Sequence, residues 1–298
     1  MKLSIILTYY NSEKYIINSL KSIYVQQESF INDNINNDVE VIIVNDASTD
    51  NSYNIVKNFL DSIEQKNNNS FIWKHIINPT NYGCGKARKT GIENSTGDYI
   101  MFLDSDDYYV FKNFIYNIYK YIEEHNDSDI YEFGVKTHDR NGTSINVVND
   151  IKELTNKDDM FRHLIEYNLI RIYAWTKVVK RWLTEKFPYS EERTYEDVLT
   201  IPKWVYNSNK ITLLPFLGIN YRKTNNAITS NEVTKRVGTV KAFSKLCDYF
   251  KDNKNFLVMI YNRSMPDLSY ILDGHNSDDP GFLEMMQYNT KMLKMIYS

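Results

Sequence analysis

The stretch Tyr99-Ile100-Met101-Phe102-Leu103-Asp104-Ser105-Asp106-Asp107 decides the fold. Ile100 to Leu103 is an apolar run without alternation, the pattern of a strand buried on both faces. It breaks into three carboxylates within four residues, with no Lys or Arg beside them in the sequence. Like charges this close repel, so a partner of opposite charge from outside the chain is expected there. Leu3 to Leu7 and Val39 to Val44 read as two earlier buried strands, and Phe71 to Ile77 as a further strand. Helical patterns separate them. Ile16, Leu20, Ile23 and Tyr24 follow a cap at Asn11 or Ser12; Ile55, Val56, Phe59, Leu60 and Ile63 share one face; a short helix runs over residues 86–93. This alternation predicts an α/β fold with a doubly wound, mostly parallel central sheet flanked by helices. Such sheets bind ligands at the carboxyl ends of their strands.

Beyond residue 110 the pattern is less regular. Phe111 to Ile122 reads as a helix, and 129–136 and 144–148 as strands about a turn at Asn141-Gly142. Residues 160–165 and 198–205 read as helices, the second holding Pro202. Ile211 to Tyr221 is a further strand. From Asn231 a helical spacing runs to Phe250, followed by amphipathic segments at 256–272 and 282–296, with a polar linker at 273–280. The Asn-rich patches at 32–37 and 67–70 read as loops.

Composition narrows the function classes. A net charge of −3 gives no general pull toward nucleic acid or anionic membrane. The two cysteines, Cys84 and Cys247, have no metal-ligand or redox spacing, which predicts free thiols and an intracellular protein. The opening run MKLSIILTYY is too short for a secretory leader, and no apolar stretch approaches the ~20 residues that span a bilayer.

Four polar clusters follow strand ends. Asp104 and Asp106 project to the same side of an extended chain. They suit a hard divalent cation, Mg²⁺ or Mn²⁺, held by one or two carboxylates and substrate phosphates; the plainer reading is a solvated turn. Asn45-Asp46-Ala47-Ser48-Thr49-Asp50 follows the second strand. Ser48 or Asp50 suits a helix cap, and Asp46 suits an acceptor for a base or ribose. Thr8-Tyr9-Tyr10-Asn11 ends the first strand, its aromatics free either to stack on a base or to pack. In Asn81-Tyr82-Gly83-Cys84-Gly85-Lys86-Ala87-Arg88-Lys89-Thr90-Gly91 the glycines permit tight backbone near a ligand. Lys86 and Arg88 bring positive charge suited to a diphosphate, although the segment lacks a P-loop ending.

With these blocks in order, the chain resembles a family 2 glycosyltransferase of the GT-A, nucleotide-sugar-binding fold. The blocks are ILTYYN at 6–11, VNDASTDNS at 44–52, NYGCGKARKTG at 81–91, DYIMFLDSDD at 98–107 and YEDV at 195–198. The segments at 174–198 and 220–229 (NYRKTNNAIT) also resemble the acceptor side of bacterial polysaccharide transferases. One departure is Tyr9, where the family commonly has a proline after the first strand. The resemblance covers residues 1–225. It implies a nucleotide-sugar-binding half at 1–110, an acceptor-side half at 111–225 and a C-terminal helical region at 226–298. It implies that Thr8, Tyr10, Asn11, Asp46, Asn81, Gly83, Arg88, Asp104 and Ser105 bind the donor, Asp46 taking uracil or its equivalent and Arg88 supporting the nucleotide or diphosphate. Asp104 and Asp106 would hold the metal, Trp175 and Glu196 would lie by the sugar or acceptor, and Asp197 would be the catalytic base. Glu196 and Asp197 also suit a plain helix N-terminus.

The implied activity is metal-dependent, inverting glycosyl transfer from a nucleotide-sugar, UDP-linked, to a hydroxyl of a saccharide or lipid-linked saccharide in surface polysaccharide or glycoconjugate synthesis. It places the protein in the cytoplasm, with the inner membrane face as the site of any peripheral association. A transferase acting on nucleic acid or a modified base ranks lower, since residues 226–298 hold 9 Lys and Arg against 8 Asp and Glu. A non-catalytic nucleotide-sugar binder is opposed by the intact pair Asp106 and Asp197. The C-terminal helices pack on the core or pair two copies; the Met-rich last helix (Met285, Met286, Met292, Met295) suits core, with a membrane surface as the alternative.

Overall fold

A computed structural model describes residues 1–66, 69–139, 142–222, 232–274 and 280–297. The first half is β1 (Leu3–Tyr9), α1 (Ile16–Tyr24), α2 (Gln27–Asn32), β2 (Val39–Asn45), α3 (Ser52–Glu64), β3 (Phe71–Ile77), α4 (Cys84–Glu93) and β4 (Tyr99–Asp104). Its strands run parallel in the order β3-β2-β1-β4, with Leu3 opposite both Val39 and Tyr99. Every residue of β1 and β2 is buried, and β4 is buried through Leu103. That is what unalternating apolar runs require in a sheet covered on both faces. Parallel pairing puts all four carboxyl ends on one edge. The chain goes from β1 out through β2 and β3 and returns to β4 on the other side of β1, so the strand order reverses between β1 and β4. A crevice forms at such a switch point.

The second half is β5 (Tyr108–Tyr109), α5 (Phe114–Glu124), β6 (Ile130–Asp139), β7 (Gly142–Asn146), β8 (Lys152–Leu154), α6 (Lys157–Ile165), a 3₁₀ turn at Ala174–Thr176, β9 (Lys177–Lys180), α7 (Arg181–Lys186), α8 (Glu196–Asn207), β10 (Ile211–Arg222), α9 (Glu232–Tyr249), α10 (Lys254–Gly274) and α11 (Pro280–Tyr297). It continues the sheet as β4-β9-β6-β10-β5. β9 runs antiparallel to both β4 and β6, whereas β6 and β10 are parallel. The sheet is therefore parallel in its first half and mixed beyond. β9 is not visible in the sequence, because its apolar content is only Val178 and Val179 between lysines.

Several expectations need adjusting. α1 begins after Tyr15 with no side-chain cap; Ser12 serves only through its carbonyl, which accepts from the Tyr15 and Ile16 N–H groups. α4 starts at Cys84, two residues early. Phe111 precedes α5 and is exposed. Asn141 of the expected hairpin turn, part of the 67–70 loop, most of NYRKTNNAIT, most of the 273–280 linker and the 225/226 boundary lie outside the described residues. In α11, Met285 and Met292 are fully buried and Met295 packs against the core, while Met286 is partly exposed, so the stripe mainly serves packing. α9 lies against α8, and Phe256 of α10 stacks on Phe161 of α6 with ring centroids 4.1 Å apart. Among the described residues no helix is long and apolar enough to cross a membrane.

At the opposite, amino-terminal edge, one carboxylate ties three strands together. Glu40 of β2 is fully buried. It accepts from the Ser4 hydroxyl at 2.7 Å, the Gly97 N–H at 3.1 Å, Lys74 at 3.1 Å and the Thr96 N–H. Burial alone would raise its pKa; the Thr96, Ser4 and Lys74 donors override it and lower the value from 4.5 to about 2. A depressed carboxylate stabilises the fold above its unfolded pKa and ceases to do so as pH falls through the folded value. Glu40→Gln is therefore expected to lose on the order of 2 kcal/mol at pH 7. In chemical denaturation the gap between variant and wild type should close as pH drops from 4.5 toward 2; a gap that stays constant with pH would refute this account.

Candidate active site

The loops at the carboxyl edge are stitched to one another before any ligand is considered. Asn11 takes φ +48°, a left-handed conformation that Asn tolerates. Its Oδ1 accepts from the Thr49 N–H at 2.8 Å and the Asp50 N–H at 3.3 Å, and its own N–H donates to Ser48 Oγ at 3.1 Å. Asn11 thus joins the loop after β1 to the loop after β2. Asp50 accepts from the Ser52 N–H at 3.0 Å, fixing the start of α3. Ser105 Oγ lies 2.6 Å from Ser12 Oγ, tying the loop after β4 to the same group. Thr8 is buried and Tyr10 is exposed beside them.

Asp46 is buried under the following loop. Its Oδ1 accepts from Asn78 Nδ2 at 2.8 Å and the Tyr82 N–H at 3.1 Å, its Oδ2 from the Gly83 N–H at 2.7 Å. Three of a carboxylate's roughly four acceptor positions are thereby spent on the chain. Gly83 has φ +93°, which an L side chain rarely adopts, and a Cβ there would stand 3.1 Å from Arg193 Cα. Asn81 accepts from Arg193 through both its carbonyl and its side chain. The close approach expected at these glycines is to the protein itself: a Cβ on Gly85 would meet the Ser190 carbonyl at 2.1 Å. Lys86 pairs with Glu191 at 3.3 Å.

Arg88, on the buried face of α4, is the centre of the site. Only 3% of its side chain is exposed. Nη2 donates to Asp104 Oδ1 at 2.7 Å; Nη1 reaches Glu196 Oε1 at 2.9 Å, Asp197 Oδ1 at 3.2 Å and the Tyr189 hydroxyl at 2.8 Å. The Tyr189 hydroxyl in turn donates to Asp197 Oδ1. The guanidinium thus faces carboxylates inside the protein, and it supplies the positive charge that the sequence around Asp104 lacks. It is outnumbered three to one. Burial, with Asp197 beside it, pushes Glu196 up to about 7, and burial raises Asp197 against the pull of Arg88.

The three aspartates at the end of β4 and just beyond it have separate jobs. Asp104 holds Arg88. Asp107 is fully buried; its Oδ1 accepts from the Arg222 N–H at 2.9 Å, joining the end of β4 to the end of β10. Burial and the Asp106 and Asp104 charges push it up to about 9. Asp106 is partly exposed, and burial plus Asp104 push it up to about 6. Among the described residues no group of three His, Cys, Asp or Glu side chains could hold a metal ion by itself. A cation held by Asp104 and Asp106 would have to complete its shell with phosphate and water, since one Asp104 oxygen is already on Arg88.

Trp175 is buried between Tyr173 and Tyr221, both stacked at 5.2 Å with interplanar angles of 10° and 7°. Beneath this stack, Lys177 is fully buried 3.2 Å from Glu132, which also accepts from Arg171 at 3.0 Å. Lys177 donates to the Tyr173 carbonyl at 3.0 Å and so fixes the segment that carries Trp175. Sequence reasoning singled out none of Tyr189, Glu132, Arg171 and Lys177; no local motif marks Glu132 or Arg171, whereas Lys177 and Tyr189 lie within the 174–198 block. Arg222 carried a signal, lying within the 220–229 block.

Removing Arg88 would leave three clustered carboxylates without their shared cation. Losing one partner of a buried ion pair costs about 3–5 kcal/mol. Arg88→Met is expected to fall in that range by denaturant titration at pH 7; a variant as stable as wild type would show that the cluster does not depend on the guanidinium.

Comparison with known proteins agrees with this fold. The family model described as glycosyl transferase family 2 matches residues 4–173, more than half of the chain. The poly(ribitol-phosphate) beta-N-acetylglucosaminyltransferase TarS of Staphylococcus aureus is 29% identical over 218 residues, covering 72% of this chain and 34% of that protein. The chain thus spans about a third of the length of that relative. The crystal structure of S. aureus TarS 1–349 with UDP-GlcNAc superposes with a TM-score of 0.75 at 21% identity, covering 99% of this chain and 82% of that one. The mannosyltransferase PcManGT from Pyrobaculum calidifontis, solved with GDP-Man and Mn²⁺, superposes with a TM-score of 0.58 at 13% identity, covering 99% of this chain and 85% of that one. On the family match, and on a sheet whose switch point carries the expected carboxylates, the chain belongs to glycosyl transferase family 2 and has the GT-A fold.

Proposed function

We propose that this protein transfers a sugar from a nucleoside-diphosphate donor, UDP-linked, to a hydroxyl of a cell-surface saccharide or polymer, with inversion at the anomeric carbon and with Mg²⁺ or Mn²⁺ bound alongside the donor. One observation carries the reading: Arg88 gathers Asp104, Glu196 and Asp197 from separate segments at the switch point of a parallel sheet, with Asp106 beside them. That is more negative charge than the chain cancels. The poly(ribitol-phosphate) activity in the name of TarS supports a surface polymer as acceptor, and the UDP-GlcNAc and Mn²⁺ of the solved neighbours support the donor and cation classes.

The residues divide the work as follows. Asp104 and Asp106 would hold the cation, which when bound supplies Lewis-acid neutralisation of the diphosphate. Asp197 is the base. Its Oδ1 is fixed by Tyr189 and Arg88, and no hydrogen bond among the described residues reaches Oδ2, which is left for the acceptor hydroxyl. Burial raises its pKa, making it a better proton acceptor than an ordinary aspartate. Tyr189 and Arg88 orient it, and Tyr173, exposed at one end of the stack that covers Trp175, offers a flat face for a sugar ring. The loops joined by Asn11, Asp46 and Ser105 form the donor side.

The test is a donor screen. Purified protein is given UDP-, GDP- and TDP-sugars with Mn²⁺ or with chelator, and nucleotide release is measured with and without saccharide acceptors. Release from one donor that chelator abolishes is expected. Asp106→Ala should lower it on the order of 10³-fold and Asp197→Asn by roughly 10²–10⁴-fold. Tight donor binding with no release under any acceptor would identify a non-catalytic binder instead. Release that is indifferent to Asp197→Asn would remove that residue from the role of base.

A further inference from the structure

Tyr195 has a backbone conformation that a bulky residue avoids. It lies at φ +59°, ψ +24°, in the left-handed region, where strain persists only if the surroundings over-determine it. It immediately precedes Glu196 and Asp197, the first residues of α8. This one residue therefore sets the direction in which both carboxylates leave the chain toward Arg88.

What holds it comes from the C-terminal helices. The Tyr195 hydroxyl donates to the Lys235 carbonyl of α9 at 2.7 Å. Its ring lies on α9 over Gly238: a Cβ there would stand 2.1 Å from ring carbon Cε2, 2.7 Å from Cζ and 2.9 Å from the hydroxyl oxygen. Lys245, further along α9, reaches Glu192 on the approach to α8 at 2.6 Å. Glycine weakens the interior of a helix, so Gly238 in the middle of an 18-residue helix needs a reason. The ring supplies it, since no other residue leaves room.

We propose that Tyr195 is a positioning residue for Glu196 and Asp197 and that Gly238 is the notch that locks it, which makes α9 part of the transfer machinery. This rests on the reading of Asp197 as the base. The ring seated in the notch holds residue 195 left-handed, and the left-handed turn starts α8 with its two acidic side chains on Arg88.

Gly238→Ala tests it. Alanine favours α9 itself, so the substitution acts only by expelling the ring. The expected result is a kcat about 10- to 100-fold lower, as for a small misplacement transmitted from outside the chemistry. Donor KM should stay within about 3-fold, and Tm should be unchanged or higher. Tyr195→Phe, which keeps the ring, should retain most of the activity. Tyr195→Gly relaxes the turn but empties the notch, so it should lose kcat as Gly238→Ala does. The double variant should be no worse than Tyr195→Gly alone, because the two changes break one device. Wild-type kcat in Gly238→Ala, additive losses in the double variant, or a loss matched by falling Tm and donor affinity would each overturn the proposal. If Gly238→Ala does not fold, Tyr195→Gly against Tyr195→Phe decides the same question.

A crystal structure of Gly238→Ala gives a readout that needs no turnover. Residue 195 should leave the left-handed region and the 3.2 Å contact of Arg88 with Asp197 should lengthen. A ring merely swung aside, with both features kept, overturns the proposal whatever the rate. A wild-type protein that turns over no donor would instead count against Asp197 as base, and the structure alone would then decide the positioning.

Discussion

The buried guanidinium of Arg88 is the constraint on which the site depends. It binds carboxylates 16, 108 and 109 residues away in the chain. Satisfying all of them requires α4 to press against the loop before α8, which is why the Ser190 carbonyl crowds Gly85. It also requires β4 to end at Asp104, where the strand first emerges from the core. A lysine would not serve, because one point charge cannot reach Asp104 on one side and the Glu196–Asp197 pair on the other, as the two terminal nitrogens of a planar fork do. Tyr189 completes the arrangement: its hydroxyl bridges Arg88 and Asp197, and its ring lies 5.4 Å from the guanidinium carbon.

The parts of the fold legible in the sequence are those whose burial is two-sided. β1, β2 and β4 show as unbroken apolar runs because nothing on either face of the central strands meets water, and once they are parallel the carboxylate clusters must share an edge. The edge strand β3 and the amphipathic helices were legible by length and period. β9 was not, since four residues with lysines at both ends carry no periodic signal and owe their strand state to β4 and β6 on either side. The site divides the same way. Asp104, Asp106 and Asp197 stand at positions that motif and strand order mark. What Arg88, Asp46 and Asn11 do in the chain was not readable, because a long-range ion pair or a side-chain bond to a distant loop leaves no trace in local spacing. Each looked suited to a ligand, and each holds other parts of the site in place.

This suggests why the carboxyl edge tolerates its excess of negative charge. Glu196, Asp106 and Asp107 are all raised by burial first and then by neighbouring carboxylates, Asp197 beside Glu196, Asp104 beside Asp106, and Asp106 and Asp104 beside Asp107, so each ionised form is less favourable here than in water. Arg88 offsets part of that for Glu196, and Arg222 part of it for Asp106 and Asp107; the surrounding structure carries the rest. The apolar strands below fix the ends of β1 and β4, Glu40 clamps the far edge of the same strands, and Asp107 ties β4 to β10. The left-handed turn at Tyr195 belongs to the same pattern, an unfavourable local state kept by a helix of the C-terminal region. Charge and strain are concentrated where the chemistry is needed, and the elements that over-determine them lie outside it. The C-terminal helices then follow from the design of the site: a carboxylate pair this poorly neutralised, starting a helix from a strained turn, needs support from beyond the sheet, and α9 is the element placed to give it.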